Sequence, residues 1–309
     1  MQNTVAHKWW TYQRERFPVL AHSPLLLAFS FSALSYSSLL RGIIQWPDTK
    51  AIVVAFLTSL LFFLQLRIAD EFKDYEEDVR FRPYRPVPRG LVNLRELGLV
   101  GVLSAITQLA LAAFLQPALI VLLLLAWTYL ALMSVEFFAR DWLKARPITY
   151  MWTHMLIVPL VDYYATACDW LAQGAAQPSG LRWFLLVSFC NGIVIEVGRK
   201  LRAPADEEDG VQTYTVLWGQ QKAVLVWLGA MLATASFAVL AALSIAFVLP
   251  VAIALAGLWL VAAIVAVRFL QQPESRHAKW FEAMSGVWTL VLYLCLGAIP
   301  LLVKLGGAR

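Results

Sequence analysis

The sequence predicts an all-α membrane protein, a bundle of about nine transmembrane helices around a central cavity. Three observations predict it. Hydrophobic residues make up 60% of the 309-residue chain and charged residues only 15%, where a soluble domain carries roughly 25%. Apolar runs of spanning length recur along the chain, and the mean hydropathy is +0.66. Lysine and arginine are confined almost wholly to alternate loops.

Apolar runs of about 17–25 residues are long enough to cross the hydrocarbon core as helices. In chain order they fall at roughly 19–41, 51–71, 97–116, 118–138, 148–170, 181–200, 221–243, 247–268 and 284–304. The first begins near Val19, behind a polar segment carrying Lys8, Arg14 and Arg16. It is too long for a signal h-region and lacks an A-x-A-like cleavage site, so it is expected to stay in the membrane. The stretch 223–267 contains no Asp, Glu, Lys or Arg; it is too long for one helix and suits two, with Pro250 near the reversal.

Nineteen Lys and Arg lie in the N-terminal segment and in the loops after the second, fourth, sixth and eighth runs. Five lie on the other face (Arg41, Lys50, Arg182, Lys304 and Arg309), and Arg67 sits within the second run. This bias places the N-terminus and the even-numbered loops in the cytoplasm, and the protein as a multi-pass component of the cell's inner (plasma) membrane. Topology therefore accounts for the net charge of +5, and the lipid bilayer rather than nucleic acid is the expected partner. No linker or low-complexity segment divides the chain, so residues 1–309 read as a single transmembrane domain. Cys168, Cys190 and Cys295 lie in apolar stretches without CxxC spacing and read as buried thiols.

Two acidic segments carry the chemistry. The first follows the second run, with Asp70, Asp74 and Asp78 at i, i+4 and i+8. On an α-helix these form one stripe, and like charges on one stripe repel, so a cation is expected there. Mg²⁺ suits oxygen ligands and commonly takes one or two carboxylates plus substrate phosphates. The alternative is a solvated juxtamembrane helix, the favoured reading for Glu76 and Glu77. A proline-rich loop follows, presenting Arg82 and Arg85. Arginines on such a stiff loop either bind phosphate in bidentate fashion or act only as cytoplasmic anchors.

The second segment follows the sixth run. Glu196 closes an apolar stretch, with Arg199 and Lys200 at i+3 and i+4. It is either a functional intramembrane acid or one member of a helix-end ion pair. Asp206, Glu207, Glu208 and Asp209 precede Gly210 and form either a second metal site or a solvated loop. Two carboxylate clusters on one face, each with basic residues beside it, suggest a single ligand. A diphosphate bridged by Mg²⁺ fits, and a long apolar tail on it would explain a site in a membrane. Metal and basic groups would then stabilise departing pyrophosphate, with apolar and aromatic walls shielding an allylic cation.

These residues resemble the UbiA superfamily of intramembrane prenyltransferases, as a divergent member. That family carries N-D-x-x-D-x-x-x-D after its second helix, then R-x-x-R-P-x-x-x-G. Here Asp70, Glu71, Asp74 and Asp78 are followed by Arg82, Arg85, Pro86 and Gly90. Its second motif ends in G-[VI]-x-T, similar to Gly210-Val211-Gln212-Thr213. The resemblance covers nearly the whole chain and implies a Mg²⁺-dependent prenyltransferase releasing pyrophosphate from an isoprenyl diphosphate. It implies metal ligation by Asp70, Asp74 and Asp78, and a second metal site involving Asp206, with Glu196 and Asp209 as further candidates. Lys144 and Arg146 in the 4–5 loop, with Arg82, Arg85, Arg199 and Lys200, are the expected diphosphate contacts. Three positions depart from the pattern: Asp70 stands for Asn, Glu71 for Asp, and Arg202 for the Asp usually eight residues before the glycine.

Other residues leave choices open. Asp162 in the fifth run is either a cavity-facing acid or an interior hydrogen-bonding group; His154 reads as packing. Asn191 lines the cavity or bridges helices, and Phe72, Tyr75 and Tyr84 are candidates to touch isoprenoid. Transfer to an acceptor, expected to be aromatic, is the leading function. A terpene cyclase without acceptor is the alternative. A cation transporter is disfavoured because the carboxylates cluster at one face rather than at the midplane.

Overall fold

The computed structural model describes residues 5–307; Arg309 lies outside the described residues. The polar N-terminal segment forms a helix of its own, α1 (Val5–Arg16), and α2 (Val19–Leu40) follows directly after Pro18. The second apolar run is α3 (Thr49–Lys73), and the acidic segment continues it as α4 (Tyr75–Phe81). A capping box opens α5 (Leu94–Leu115): Asn93 Oδ1 accepts from the Glu96 amide at 2.9 Å, and Glu96 accepts from the Asn93 amide at 3.1 Å. Then come α6 (Leu119–Ser134), α7 (Arg140–Lys144), α8 (Pro147–Met155), α9 (Ile157–Trp170) and α10 (Leu181–Gly198). The chain ends with α11 (Tyr214–Trp218), α12 (Gln220–Leu243), α13 (Val248–Gln271), α14 (Ser275–Leu296) and α15 (Ala298–Gly307). No strand occurs among the described residues.

Seven helical runs are long and apolar enough to cross a membrane: α2, α3, α5, α10, α12, α13, and α14 with α15 together. The remaining two predicted spans differ from expectation. The fourth is the shorter α6, of 16 residues. The fifth breaks at Leu156 into α8 and α9, because Pro159 has no amide to donate to Met155 and its ring crowds that carbonyl. The last span begins well before the expected 284, since its first turns carry Arg276, His277, Lys279 and Glu282 and stay helical while leaving the apolar layer.

Helix α2 packs against α3, α9, α14 and α15, while α10, α12, α13 and α14 form the other side. Buried serines on α2 (Ser30, Ser32, Ser35, Ser37, Ser38) let neighbouring backbones approach. The closest approach is at Gly297, between α14 and α15, where a Cβ would stand 2.3 Å from the Ser32 carbonyl oxygen. At the centre of the bundle, where the sequence reading expects a cavity, stand Tyr36, Phe184, Trp227, Trp288 and Tyr293, all fully buried. Outward faces carry Leu99, Leu103, Ile106, Val121, Leu249, Ile253 and Leu260, exposed as lipid contact requires. Helix α1 lies against the cytoplasmic end, with Tyr12 buried beside Ile68, Val87, Val92 and Leu97.

Candidate active site

The aspartate stripe survives the junction between α3 and α4. The Asp74 amide donates to the Asp70 carbonyl at 2.9 Å, and the Asp78 amide to the Asp74 carbonyl at 2.8 Å. The i→i−4 ladder is thus unbroken and the three carboxylates stay on one side. Their surroundings differ. Asp70 lies 3.5 Å from Arg67 and 3.6 Å from Lys73. Asp78 is buried and held by Arg82 at 3.3 Å and Arg85 at 2.7 Å. Asp74 has no ion-pair or hydrogen-bond partner for its carboxylate among the described residues. Burial pushes its pKa up; Asp70, Asp78 and Glu77 push the same way, and Lys73 opposes them. Glu71 points the other way, buried against Arg16 of α1.

The 4–5 connection closes over this stripe. Lys144 pairs with Glu77, which also lies 3.5 Å from Arg140; the Lys144 hydrogen bond holds the Glu77 carboxyl below the usual range. Glu77 and Lys144 therefore clamp α4 to α7. Arg146 stacks on Trp142 at 4.4 Å and donates to its carbonyl at 3.1 Å. Lys73 donates to the Tyr150 hydroxyl at 3.0 Å.

The second acidic segment meets the first. Glu196 is buried and accepts from Arg199 Nε and Lys200 Nζ, each at 2.7 Å. Arg199 is held charged by Glu196 first, and Asp70 raises its pKa further. Tyr214 is pushed up by burial and then by Glu196, with a further contribution from Tyr150. The ends of α3, α8, α10 and α11 thus converge. Tyr84 donates to Glu208 at 2.8 Å, and Gly210 (φ 74) sits so close to Phe81 that a Cβ would lie 2.5 Å from its ring. Asp206 accepts from Ser275 at 2.7 Å, and Glu207 accepts from Thr213 and Thr215 at 2.8 and 2.6 Å. Asp209 is exposed.

A family model for the UbiA prenyltransferase family matches residues 28–291. The chain belongs to that family. Solved structures of other UbiA homologues share its fold. One from Aeropyrum pernix K1, without ligand, has a TM-score of 0.68 at 14% identity, covering 92% of this chain and 98% of its own. One from Archaeoglobus fulgidus, bound to DMAPP and Mg²⁺, has a TM-score of 0.55 at 14% identity, covering 92% and 98%. A structure concerning digeranylgeranylglyceryl phosphate synthase in membranes has a TM-score of 0.59 at 15% identity, covering 94% and 97%. At these identities the likeness is one of fold. No curated protein sequence matches the chain.

Within this UbiA protein the departures have a physical account. Arg202, at the position where the motif has Asp, donates to Glu208 at 3.1 Å and to the Asp206 carbonyl at 3.2 Å. A guanidinium and the Thr213, Thr215 and Ser275 hydroxyls thus occupy the acidic loop's oxygens, where a cation would otherwise be needed. The added negative charge of Asp70 is balanced locally by Arg67 and Lys73. Among the described residues, no three His, Cys, Asp or Glu side chains form a ready-made metal cage. Asp70 and Asp74 do offer two carboxylates on one stripe, one of them uncompensated, and that donor set fits a Mg²⁺ shared with phosphate oxygens.

Other expectations resolve as follows. Asp162 is buried and accepts from Tyr293 at 2.7 Å inside the bundle. Asn191 accepts from Thr289 at 3.1 Å, bridging α10 and α14. His154 stacks on Tyr150, with centroids 3.9 Å apart. The three cysteines are buried and free. Arg16 and Lys73 entered the sequence reading only as ordinary charges; their roles depend on which helix they meet, which linear spacing does not reveal. One cavity, of about 290 Å³, flanks the site between α3, α5 and α6, lined by Gln65, Ile68, Ala69, Gly101, Trp127 and Ser134 among others. A second, of about 250 Å³, lies at the opposite end beside Asp48, Lys50, Asp169 and Gln173.

Proposed function

We propose that this multi-pass membrane protein, as one unit over residues 1–309, transfers a prenyl group from an isoprenyl diphosphate to an acceptor at its cytoplasmic face. The observation that carries this reading is Asp74, a partly buried carboxylate without a partner, beside Asp70 and ringed by Lys73, Arg67 and Arg199. Asp70 and Asp74 would hold Mg²⁺, which when bound supplies positive charge to the diphosphate oxygens. Asp78 orients Arg82 and Arg85 toward the same mouth. Glu196 orients Arg199 and Lys200, and Lys144 and Arg146 line the rim. Asp206 and Asp209 belong to the loop that covers it.

In the reaction the allylic C–O bond breaks and its electron pair leaves with pyrophosphate. The basic side chains neutralise the charge that builds there, which is the largest contribution such a site makes to rate. An electron pair of the acceptor forms the new bond to the allylic carbon, and the acceptor's displaced proton passes to water at the mouth. We propose an aromatic acceptor on the strength of the motif resemblance, and a cytoplasmic N-terminus on the distribution of Lys and Arg.

A second reading, terpene cyclisation without an acceptor, is favoured by the three motif departures and by the interior of the bundle. There Asp162 lies against Tyr293, which packs edge-on to Phe29 and Phe184 at 5.0 and 5.8 Å. The test is product analysis with prenyl diphosphates of several lengths, each with no acceptor, with aromatic acceptors and with glyceryl phosphate acceptors. Acceptor-dependent prenylated product supports transfer. Cyclic hydrocarbon or alcohol without acceptor supports cyclisation. Pyrophosphate release that persists after chelation of Mg²⁺ rules out the metal assignment.

A further inference from the structure

Two residues beyond the end of α6, the backbone does something costly. Glu136, Phe137 and Phe138 have φ of 50, 53 and 58°, three consecutive left-handed residues, none of them glycine. Such conformations crowd Cβ against the next carbonyl and persist only where the surroundings hold them. The result is that Glu136 turns inward. It is buried, and its Oε1 accepts from the Tyr150 hydroxyl at 3.3 Å. Its Oε2 has no partner among the described residues, so the cost of burying the carboxylate is only half offset.

Tyr150 connects this acid to the aspartate stripe. Its oxygen accepts from Lys73 Nζ at 3.0 Å, and Lys73 stands 3.6 Å from Asp70. The direction of these bonds follows from chemistry. An ammonium has no lone pair, so the tyrosine oxygen must accept from it, leaving the single hydroxyl proton for Glu136. Stacking on His154, with rings inclined by 12°, fixes the phenol plane. A lysine has a flexible four-carbon stem, and without such a tether Lys73 would swing toward water.

We propose that Glu136 is a positioning residue: acting through Tyr150, it holds the Lys73 ammonium beside Asp70, where it meets the diphosphate. This rests on the prenyl-transfer reading above. Neither acidic segment contains Glu136, and its part depends on the turn that carries it across to Tyr150.

The test uses the purified full chain, with Mg²⁺ and inorganic pyrophosphate as the binding probe, in Glu136→Gln, Tyr150→Phe, Lys73→Met and the Glu136→Gln/Tyr150→Phe double variant. Glu136→Gln and Tyr150→Phe are each expected to weaken pyrophosphate binding by roughly tenfold, the loss of one charge-assisted hydrogen bond. The double variant is expected to be no weaker than Tyr150→Phe alone, because both act through one ammonium. In turnover, kcat falls while the KM for acceptor stays constant. If Glu136→Gln does not fold, Glu136→Asp, with its carboxylate withdrawn by one methylene, is expected to show the same non-additivity. Wild-type binding in Glu136→Gln, or losses that multiply in the double variant, would overturn the proposal. A wild-type protein that neither binds the probe nor turns over would instead overturn the prenyl-transfer reading itself.

Discussion

Replacing Asp74 by Asn is expected to move stability and activity in opposite directions. In the folded protein the Asp74 carboxylate is partly buried, unpaired, and flanked by Asp70 four residues before it and Asp78 four residues after it. Each like-charge i,i+4 neighbour costs roughly 0.2–0.5 kcal/mol, so neutralising Asp74 relieves about 0.4–1 kcal/mol. The sign follows from linkage. A carboxyl whose folded pKa lies above the unfolded value binds its proton more tightly when folded. Stability therefore falls as pH rises from the ordinary value of 3.8 through the raised one, and the deficit persists at neutral pH. The Asn variant lacks that slope. Activity should fall on the order of 100-fold or more, about 2.7 kcal/mol of transition-state stabilisation, because a carboxylate of the Mg²⁺–diphosphate site is gone. Thermal unfolding in detergent between pH 4 and about pH 7, a window set by the linkage, beside pyrophosphate release, reads both quantities. A variant that is less stable than wild type, or that turns over at the wild-type rate, would refute the reasoning.

Three further substitutions probe the frame around the site. Gly297→Ala places a Cβ 2.3 Å from the Ser32 carbonyl, and neither backbone can yield cheaply; a loss of roughly 1–3 kcal/mol is expected in thermal unfolding. Gly210→Ala meets both a left-handed φ of 74° and the Phe81 ring, so the 206–210 loop should lift from α4 and be cut faster in limited proteolysis. Arg41→Ala strips the 2.8 Å partner from buried Asp169 at the opposite end, and a loss of about 3–5 kcal/mol is expected, with Arg41→Ala/Asp169→Asn recovering much of it.

How far the sequence reaches is clearest residue by residue. Asp70, Asp74 and Asp78 share a helix, so their common stripe follows from spacing alone, and the structure keeps it. The same reasoning finds Glu196 with Arg199 and Lys200, since i+3 and i+4 neighbours meet on any helix. It stops at Glu77, read as ordinary surface charge but clamped to Lys144 from another helix. It also stops at Arg16, whose helix α1 is too polar to register in hydropathy yet is pinned across the site by Glu71.

By itself the sequence determined the solvent and the chemistry: lipid around an all-α bundle, one face toward the cytoplasm, and carboxylates and arginines at that face. Composition and helical period are properties of the chain, and they survive whatever the helices later touch. Only the tertiary structure decided which carboxylate stands alone. Asp78 is occupied by Arg82 and Arg85, Glu208 by Arg202 and Tyr84, Glu71 by Arg16, and Asp74 by none of the described residues. Whether a charge is satisfied depends on partners far along the chain, brought within hydrogen-bonding distance by helix packing, and a linear pattern holds no record of them.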